Sequence, residues 1–251
     1  MQQRSWPTED RTEKLDEVSA QALGIDLGLK DLMTDSEGGK VEAQQFYRDM
    51  EAKLATSQRA GHKNRTRAIH AKISNRRKDG LHKLSTAQVK SHQAVFVGNV
   101  NAGALSQTRL AKSVLDAGWS AYRAMLQYKC HSAGVWFKEV NESYSTQDCS
   151  CCGSRAGPKG LAGLGARQWE CPVCNTVHDR DVNAAKNIRA KGLAWMAAEF
   201  EREFEGVKQP GAAEARACET ALNKDSGYQA TQLPASTGVG HDPLVVGIPL
   251  L

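Results

Sequence analysis

Short apolar runs bounded by polar residues and glycines predict five β-strands. The first three follow one another through short turns, which is typical of a β-hairpin or meander. The fourth run, Ala-Val-Phe-Val-Gly, is apolar at nearly every position and therefore predicts a strand that is buried on both faces. The predicted strands are 22–29, 31–34, 41–47, 94–98 and 135–140.

Apolar residues at helical spacing occupy the stretches between and after these strands. Residues 50–90 contain no proline and carry sparse apolar positions, which predicts a long helix or a helical hairpin. Residues 108–133 carry an apolar stripe that predicts one helix ending at Gly134. A final helix is predicted over 179–206.

The two ends of the chain differ in composition from its middle. Residues 1–20 are polar and predict a partly helical lead-in, whereas glycine, proline and serine replace helical periodicity after residue 206 and predict disorder. The predicted organisation is a lead-in at 1–20, a first domain segment at 21–148 with a basic helical insert at 50–90, a cysteine-rich segment at 149–174, a final helical segment at 175–206 and a tail at 207–251.

Positive charge is concentrated in one part of the chain, although the net charge of +5 is mild. Between Arg59 and Lys83 nine lysines and arginines are opposed only by Asp79. Such a run is either a solvated helix face or a phosphate-binding surface, the second because little negative charge cancels its field. The candidate nucleic-acid-binding residues are Arg65, Arg67, Lys72, Arg76, Arg77, Lys78 and Lys83.

The cysteines indicate the compartment. Four of the seven form two Cys-x-x-Cys pairs, which is typical of thiolate metal ligands in a reducing environment and not of a disulfide framework. The polar first 20 residues do not resemble a signal peptide, and no apolar run approaches the roughly 20 residues that span a bilayer. We therefore expect a cytoplasmic protein without a membrane partner.

The two cysteine pairs predict a structural zinc site, because zinc takes four ligands in a tetrahedron and each pair supplies two of them. Gly153 and Asn175 directly follow the pairs, and both residue types tolerate the tight backbone that such a turn requires. Cys151 lies too close to its neighbours in sequence to serve as a ligand. The predicted zinc ligands are Cys149, Cys152, Cys171 and Cys174.

One acidic motif lies far upstream of this region, and a second follows it directly. Asp26 lies in Gly-Ile-Asp-Leu-Gly on the first predicted strand, and Asp181 lies in Asp-Arg-Asp-Val-Asn-Ala-Ala at a helix start. Each alone could be a turn residue or a helix cap. A two-metal nuclease instead needs carboxylates from different elements to hold two divalent ions about 4 Å apart. Asp179 is either a supporting acid or the cap of the helix that begins beside it.

The order of these motifs, with the cysteine ribbon directly before the second one, resembles the TnpB (OrfB) proteins of bacterial insertion sequences. These are relatives of the type V CRISPR effectors. Residues 75–85 (NRRKDGLHKLS) and 144–153 (YSTQDCSCCG) support the resemblance, which extends from about residue 23 to 188. It implies an α/β, RuvC-like (ribonuclease-H-like) mixed sheet with flanking helices and an inserted zinc ribbon. It also implies a transposition-associated DNA endonuclease that uses magnesium or manganese and a guide RNA.

The sequence departs from the family pattern at the middle catalytic acid. The family usually has a Glu-Asp pair where this chain has Gly98 and Asn99. Glu142, just after the strand 135–140, could replace that acid, or it could be a surface glutamate beside a damaged site. Glu139 is a second candidate. The predicted catalytic residues are Asp26, Glu142 and Asp181.

A second departure is the short segment before Asp26, where the family carries regions that hold the guide RNA and read a DNA motif. From this we expect a copy shortened at its N-terminus, or a start assigned too late. Three functions remain open: a metal-dependent nuclease, a nucleic-acid-binding remnant or regulator without cleavage, and a zinc-ribbon interaction module whose carboxylates are structural.

Overall fold

A five-stranded mixed sheet forms the centre of the fold in the computed structural model, which describes residues 11–163 and 165–207. The strands lie in the order β3-β2-β1-β4-β5. β1, β4 and β5 are parallel, whereas β2 is antiparallel to both β1 and β3, so the expected opening meander is confirmed. Its third strand is shorter than the predicted 41–47, because the chain leaves the sheet after Glu42 and turns into the first helix of the basic segment. The bounds are β1 (Ala22–Leu27), β2 (Asp31–Asp35), β3 (Lys40–Glu42), β4 (Ala94–Gly98) and β5 (Trp136–Val140).

Helices cover both faces of this sheet, and a separate two-stranded ribbon joins β6 (Gln168–Glu170) to β7 (Val177–Asp179). Across the described ranges none of the helices combines the length and the apolar character that crossing a bilayer requires. The helices are α1 (Arg11–Ala20), α2 (Arg48–Arg59), α3 (Lys63–Ser91), α4 (Ala102–Leu105), α5 (Ala111–Ala117), α6 (Trp119–Ala133), α7 (Gly160–Gly163) and α8 (Arg180–Val207).

The basic segment is a helical hairpin, which decides between the two interpretations of residues 50–90. Gly61 has a φ of 66° at the turn between α2 and α3, a conformation that glycine adopts without strain. Buried Leu54 of α2 packs against Ile69 and Ile73 of α3, so the two helices share a small apolar core of their own.

The helix predicted over 108–133 is broken, which differs from the sequence interpretation. Gly118 has a φ of 67°, and it ends α5 and starts α6. At this bend the indole of Trp119 donates a hydrogen bond to the carbonyl oxygen of Gly28 at 3.2 Å. The bend therefore connects the start of α6 to the end of β1. Apolar periodicity alone could not show it, because the stripe continues through the glycine.

The two faces of the sheet are packed differently. On one face Leu23, Ile25, Val95 and Val97 join residues of α3 and α6 in the main core. On the other face α8 lies so close to the strands that two glycines are required. A Cβ at Gly24 of β1 would lie 2.2 Å from the carbonyl oxygen of Ala185 in α8, and a Cβ at Gly192 of α8 would lie 2.1 Å from the ring of Phe96 in β4.

The chain divides into two units, Met1–Phe204 and Glu205–Leu251, and the contacts discussed below lie within the first. The predicted helix at the start of the chain is found as α1. The disorder predicted for the tail concerns residues that, from 208 onward, lie outside the described part of the chain.

Replacing Gly192 by alanine should lower the free energy of unfolding by about 1–3 kcal/mol, because the added methyl group cannot fit beside the ring of Phe96. Gly80, within α3, is the matched control, since its Cβ would make only an ordinary 3.5 Å contact with Phe46. Gly80→Ala should be neutral or stabilising by up to about 1 kcal/mol. Guanidinium unfolding measures both, and equal effects would contradict the tight packing of α8.

Candidate metal-binding and active site

The two cysteine pairs come together as predicted. Cys149, Cys152, Cys171 and Cys174 place their sulfur atoms within 4.8 Å of one another. The sulfurs of Cys149 and Cys174 are 3.6 Å apart and those of Cys152 and Cys171 are 3.7 Å apart. Four thiolates about 2.3 Å from one tetrahedral ion would be about 3.8 Å apart, so the spacing fits a single metal ion.

The backbone after each cysteine pair has the conformation that the sequence predicted. Gly153 and Asn175 have φ values of 74° and 56°, and their amides donate to the carbonyls of Cys149 and Cys171, both at 2.8 Å. Cys151 is exposed and outside the cluster, as its spacing indicated.

Two asparagines of α8 connect this cluster to the rest of the fold. Buried Asn183 accepts a hydrogen bond from the amide of Ser150, inside the first cysteine pair, at 2.9 Å. The side-chain amides of Asn183 and Asn187, one turn apart, both donate to the carbonyls of Ser145 and Asp148. The first turns of α8 are therefore fixed to the segment that carries the first two thiols.

Asp26 and Gly98 lie side by side at the carboxyl ends of two parallel strands. The last registered pair is Ile25 with Val97, one residue before each of them. Because strand side chains alternate, Asp26 faces the same side as Gly24, which contacts α8. Gly98 also faces α8, since its Cβ would lie 3.2 Å from Ile188.

Glu142 approaches the position that a side chain at residue 98 would occupy. A Cβ built on Gly98 would lie 2.9 Å from Oε2 of Glu142. The amide of Glu142 donates to the side-chain oxygen of Asn99 at 3.3 Å, and the amide of Asn99 donates to the carbonyl of Val140. Glu139, the second candidate, instead pairs with Arg123 at 3.2 Å and does not line the cavity that contains Asp26.

Asp181 lies in the first turn of α8, and its carboxylate is held by two arginines. Arg167 contacts one carboxylate oxygen at 3.0 Å, and Arg180 contacts the other at 3.2 Å. Asp179 is the helix cap, because its Oδ1 accepts from the amides of Asp181 and Val182. Its other oxygen accepts from Lys40 at 2.7 Å, which joins the cap to β3.

Asp26, Glu142 and Asp181 line one cavity of about 430 Å³. Burial raises the pKa of Asp26 to about 8, with repulsion from Glu142 and then from Asp181 adding to the effect. Burial also raises the pKa of Glu142. Within the described ranges only the four cysteines form a set of three or more ligand atoms all within 4.8 Å, so the carboxylates are spaced more widely.

The predicted nucleic-acid-binding residues do not share one environment. Arg77 is partly buried, donates to the carbonyl of Leu115 and lies 3.9 Å from Asp116, so it holds α3 against α5. Lys83 is paired with Asp79 at 2.7 Å on the surface. The remaining candidates are exposed, and they are Arg65, Arg67, Lys72, Arg76 and Lys78.

Comparison with known proteins places these features in a family. A family model described as "Probable transposase" (OrfB_IS605) matches residues 5–109, and one described as "Cas12f1-like, TNB domain" matches residues 119–188. A "Putative RNA-guided DNA endonuclease" of Streptomyces pristinaespiralis is 39% identical over 191 residues, which are 70% of this chain and 46% of that protein. The chain belongs to the TnpB (OrfB) family.

A second relative, "Putative RNA-guided DNA endonuclease InsQ" of Escherichia coli (strain K12), is 30% identical over 71% of this chain and 51% of its own length. The chain thus spans about half the length of the relatives it matches. The fold is similar to that in "Cryo-EM structure of the Cas12f1-sgRNA-target DNA complex", with a TM-score of 0.50, 16% identity, and coverage of 66% of this chain and 49% of that one.

Several residues of this site were not predicted from the sequence. Arg167 and Arg180 contact Asp181 and line the cavity, although both look like ordinary surface cations in the sequence. Asn183 and Asn187 could have been noticed, because polar residues four apart on an otherwise apolar helix face share one side of it.

Replacing Asp26 by asparagine should stabilise the protein at high pH when no magnesium or manganese is present. A raised pKa means that the stability contributed by neutral Asp26 is complete below about pH 4 and is lost as the pH rises through about 8. The advantage of Asp26→Asn over the wild type should therefore grow across this interval and then level off. Urea unfolding at several pH values measures it.

Asp79→Asn is the matched control, because Asp79 is an exposed carboxylate whose loss also removes one negative charge. It should show no comparable growth with pH. An Asp26→Asn advantage that is constant across the same interval would contradict the assignment of a buried, mutually repelling carboxylate cluster.

Proposed function

We propose that this chain is a RuvC-like, metal-dependent DNA endonuclease in which Glu142 supplies the second catalytic carboxylate. The single observation that supports this best is the 2.9 Å distance between a Cβ at Gly98 and Oε2 of Glu142. The carboxylate arrives from the end of β5, where the family usually has a glutamate on β4. The chain then keeps three acids at one cavity despite its glycine.

The strand order supports the ribonuclease-H-like assignment of the fold. A meander of β1, β2 and β3 is followed by β4 and β5, which are both parallel to β1, and α8 crosses the sheet with Asp181 in its first turn. In this arrangement the carboxyl ends of β1, β4 and β5 lie at one edge of the sheet. Residues from three separate segments can therefore meet there.

The donor set fits magnesium or manganese, because both ions prefer carboxylate oxygens. Asp26, Glu142 and Asp181 would hold the ions, which supply an activated water and stabilise the leaving oxygen of a phosphodiester. Repulsion among the three carboxylates favours binding of these ions, because a bound cation offsets the electrostatic cost of burying neighbouring negative charges. Lys30, Arg167 and Arg180 line the same cavity and would attract the phosphate oxygens of a bound strand.

The four cysteines fit a structural zinc, since thiolates at tetrahedral spacing favour zinc and leave no open position for catalysis. The zinc would stabilise the segment to which Asn183 and Asn187 fix α8. Its role is therefore to position Asp181 and not to take part in cleavage.

Guidance by RNA is part of the proposal. The two relatives above are named as RNA-guided DNA endonucleases, and the similar solved structure holds an sgRNA and target DNA. DNA and a guide RNA are thus the proposed partners, with the association to transposition that the family description indicates.

Removing either acid tests the site. Asp26→Ala and Glu142→Ala should each reduce magnesium- or manganese-dependent cleavage by at least about 100-fold, because each removes an anion that stabilises the transition state through a metal. Zinc content should not change. Cleavage is measured on single-stranded DNA and on duplex DNA in the presence of a guide RNA. Glu139→Ala, three residues before Glu142 and within β5, is the matched control and should leave cleavage near the wild-type rate.

Moving the carboxylate back to β4 sharpens this test. Gly98→Glu in the Glu142→Ala background should recover part of the activity, because its Cβ would lie 2.9 Å from the present position of Oε2 of Glu142. Gly98→Ala alone should lower activity without unfolding the protein, since its methyl group displaces that carboxylate. Full activity of Glu142→Ala would eliminate Glu142 from the site. No cleavage by the wild type, with binding retained, would favour the non-cleaving alternative.

One face of α3 is the proposed phosphate-binding surface. Residues seven apart on a helix differ by only about 20° in direction, so Arg65, Lys72, Arg76, Lys83 and Lys90 lie along one side of it over about 38 Å. All five are exposed. Arg67 and Lys78 point to the opposite side of the same helix, about 200° to 220° away from Arg65.

This geometry predicts different salt dependences for two double variants that remove the same charges. Lys72→Ala with Arg76→Ala should reduce the slope of log affinity against log salt for single-stranded DNA by about 1.4, or about 0.7 per lost phosphate contact. Arg67→Ala with Lys78→Ala should change the slope much less. Equal changes would mean that the whole helix acts as a diffuse positive charge and that no face is preferred.

A further inference from the structure

Tyr144 lies in the segment that borders the proposed catalytic cavity, and its aromatic ring does not contribute to the apolar core. Its side chain is 50% exposed, and it belongs to none of the three apolar clusters found among the described residues. It follows Glu142 by two residues, and the next two residues, Ser145 and Thr146, both line the cavity. The backbone of Tyr144 therefore lies next to residues of the cavity wall, and its side chain is half exposed to solvent.

The backbone of Tyr144 is also unusual for an aromatic residue. Its φ is 64°, in the left-handed region that glycine and asparagine adopt most readily. The carbonyl of Tyr144 accepts from the amides of Gln147 and Asp148, both at 2.9 Å, so the turn is fixed by main-chain contacts. Glycine or asparagine would form this turn with less strain. The turn therefore gives no reason for an aromatic side chain at this position.

One face of the ring is already covered by a cation. The guanidinium carbon of Arg155 lies 3.7 Å from the ring centroid. Asp148 holds that guanidinium through a 2.7 Å hydrogen bond from Nε, and the backbones of Asp148 and Arg155 form a β-bridge. Arg155 is thus positioned without the tyrosine. The result is a cation–aromatic pair in which the other face of the ring is directed away from Arg155.

We propose that Tyr144, supported by Arg155, is a stacking platform for an unpaired nucleobase of the single strand that enters the cavity. Aromatic rings and guanidinium planes are the groups on which proteins stack exposed bases, and this recognition is independent of sequence because every base has a flat face. Stacking a base at the edge of the cavity would hold the adjoining phosphodiester over Asp26 and Glu142. The platform rests on the proposed function, since it needs a nucleic acid at this cavity.

The test compares strands with and without a base. Binding of a short single-stranded oligodeoxynucleotide is measured by fluorescence anisotropy without magnesium or manganese, using a series in which one position at a time is abasic. Tyr144→Ala should weaken binding of the unmodified strand by about 5- to 150-fold. One abasic position should weaken binding to the wild type by a similar factor. At that position Tyr144→Ala should cause no further loss.

Two variants separate stacking from other effects. Tyr144→Phe should bind like the wild type, and Tyr144→Trp should bind at least as tightly, because both keep the flat ring. Tyr128→Ala is the matched control, since Tyr128 is also 50% exposed but lies on α6. It should leave binding unchanged. Zinc content and the unfolding midpoint of each variant verify that it is folded.

The proposal is wrong if Tyr144→Ala binds like the wild type, or if it weakens binding of the intact and all abasic strands equally. It is also wrong if Tyr144→Phe binds as poorly as Tyr144→Ala. These measurements need no cleavage, so they remain informative if the protein proves inactive with both metal ions. Loss of cleavage in Asp26→Ala with an intact stacking signal would support both proposals separately.

Discussion

The close approach of α8 to the central strands brings Asp26 and Asp181, the first and last of the three predicted catalytic acids, to the same cavity. Helix and strand come this near only because glycine occupies the contact on each side, Gly24 in β1 and Gly192 in α8. A protein interior is packed densely enough that even one methyl group at such a contact displaces its neighbours. Asp26 and Asp181 therefore reach one cavity as a consequence of packing at Gly24, two residues from Asp26, and at Gly192, eleven residues from Asp181.

The segment that carries the cysteine cluster also fixes the position of the start of α8. Asn183 and Asn187 connect the first turns of the helix to the backbone around Ser145 and Asp148, which continues directly into the first cysteine pair. On the other side, the Asp179 cap is joined to β3 by Lys40. The first turn of α8 is thus held by the ribbon and by the sheet at once. A metal in the cluster would strengthen the first of these attachments.

Much of this arrangement could be predicted from the sequence. The parts that could not be predicted have one cause in common. The cysteine cluster and four of the five strands follow from local pattern and spacing, whereas the end of the third strand and the choice of a hairpin over one long helix required the structure. The break at Gly118 and the burial of Arg77 do not follow from local pattern, because both depend on contacts with segments distant in sequence. Glu142 is an intermediate case. Its candidacy followed from its position just after the strand 135–140, whereas its approach to Gly98 required the actual register of β4 and β5.

The exchange of an acid between neighbouring strands has a simple physical basis in the proposed site. Parallel strands end at the same edge of a sheet, so a carboxylate from the end of β5 can reach a cavity that would otherwise be completed from β4. That reach requires space, and glycine at position 98 provides it, because any side chain there would meet Glu142 at less than contact distance. Gly98 and Glu142 are then two parts of one arrangement. In the proposed site, the glycine is the condition under which the glutamate can replace the missing acid.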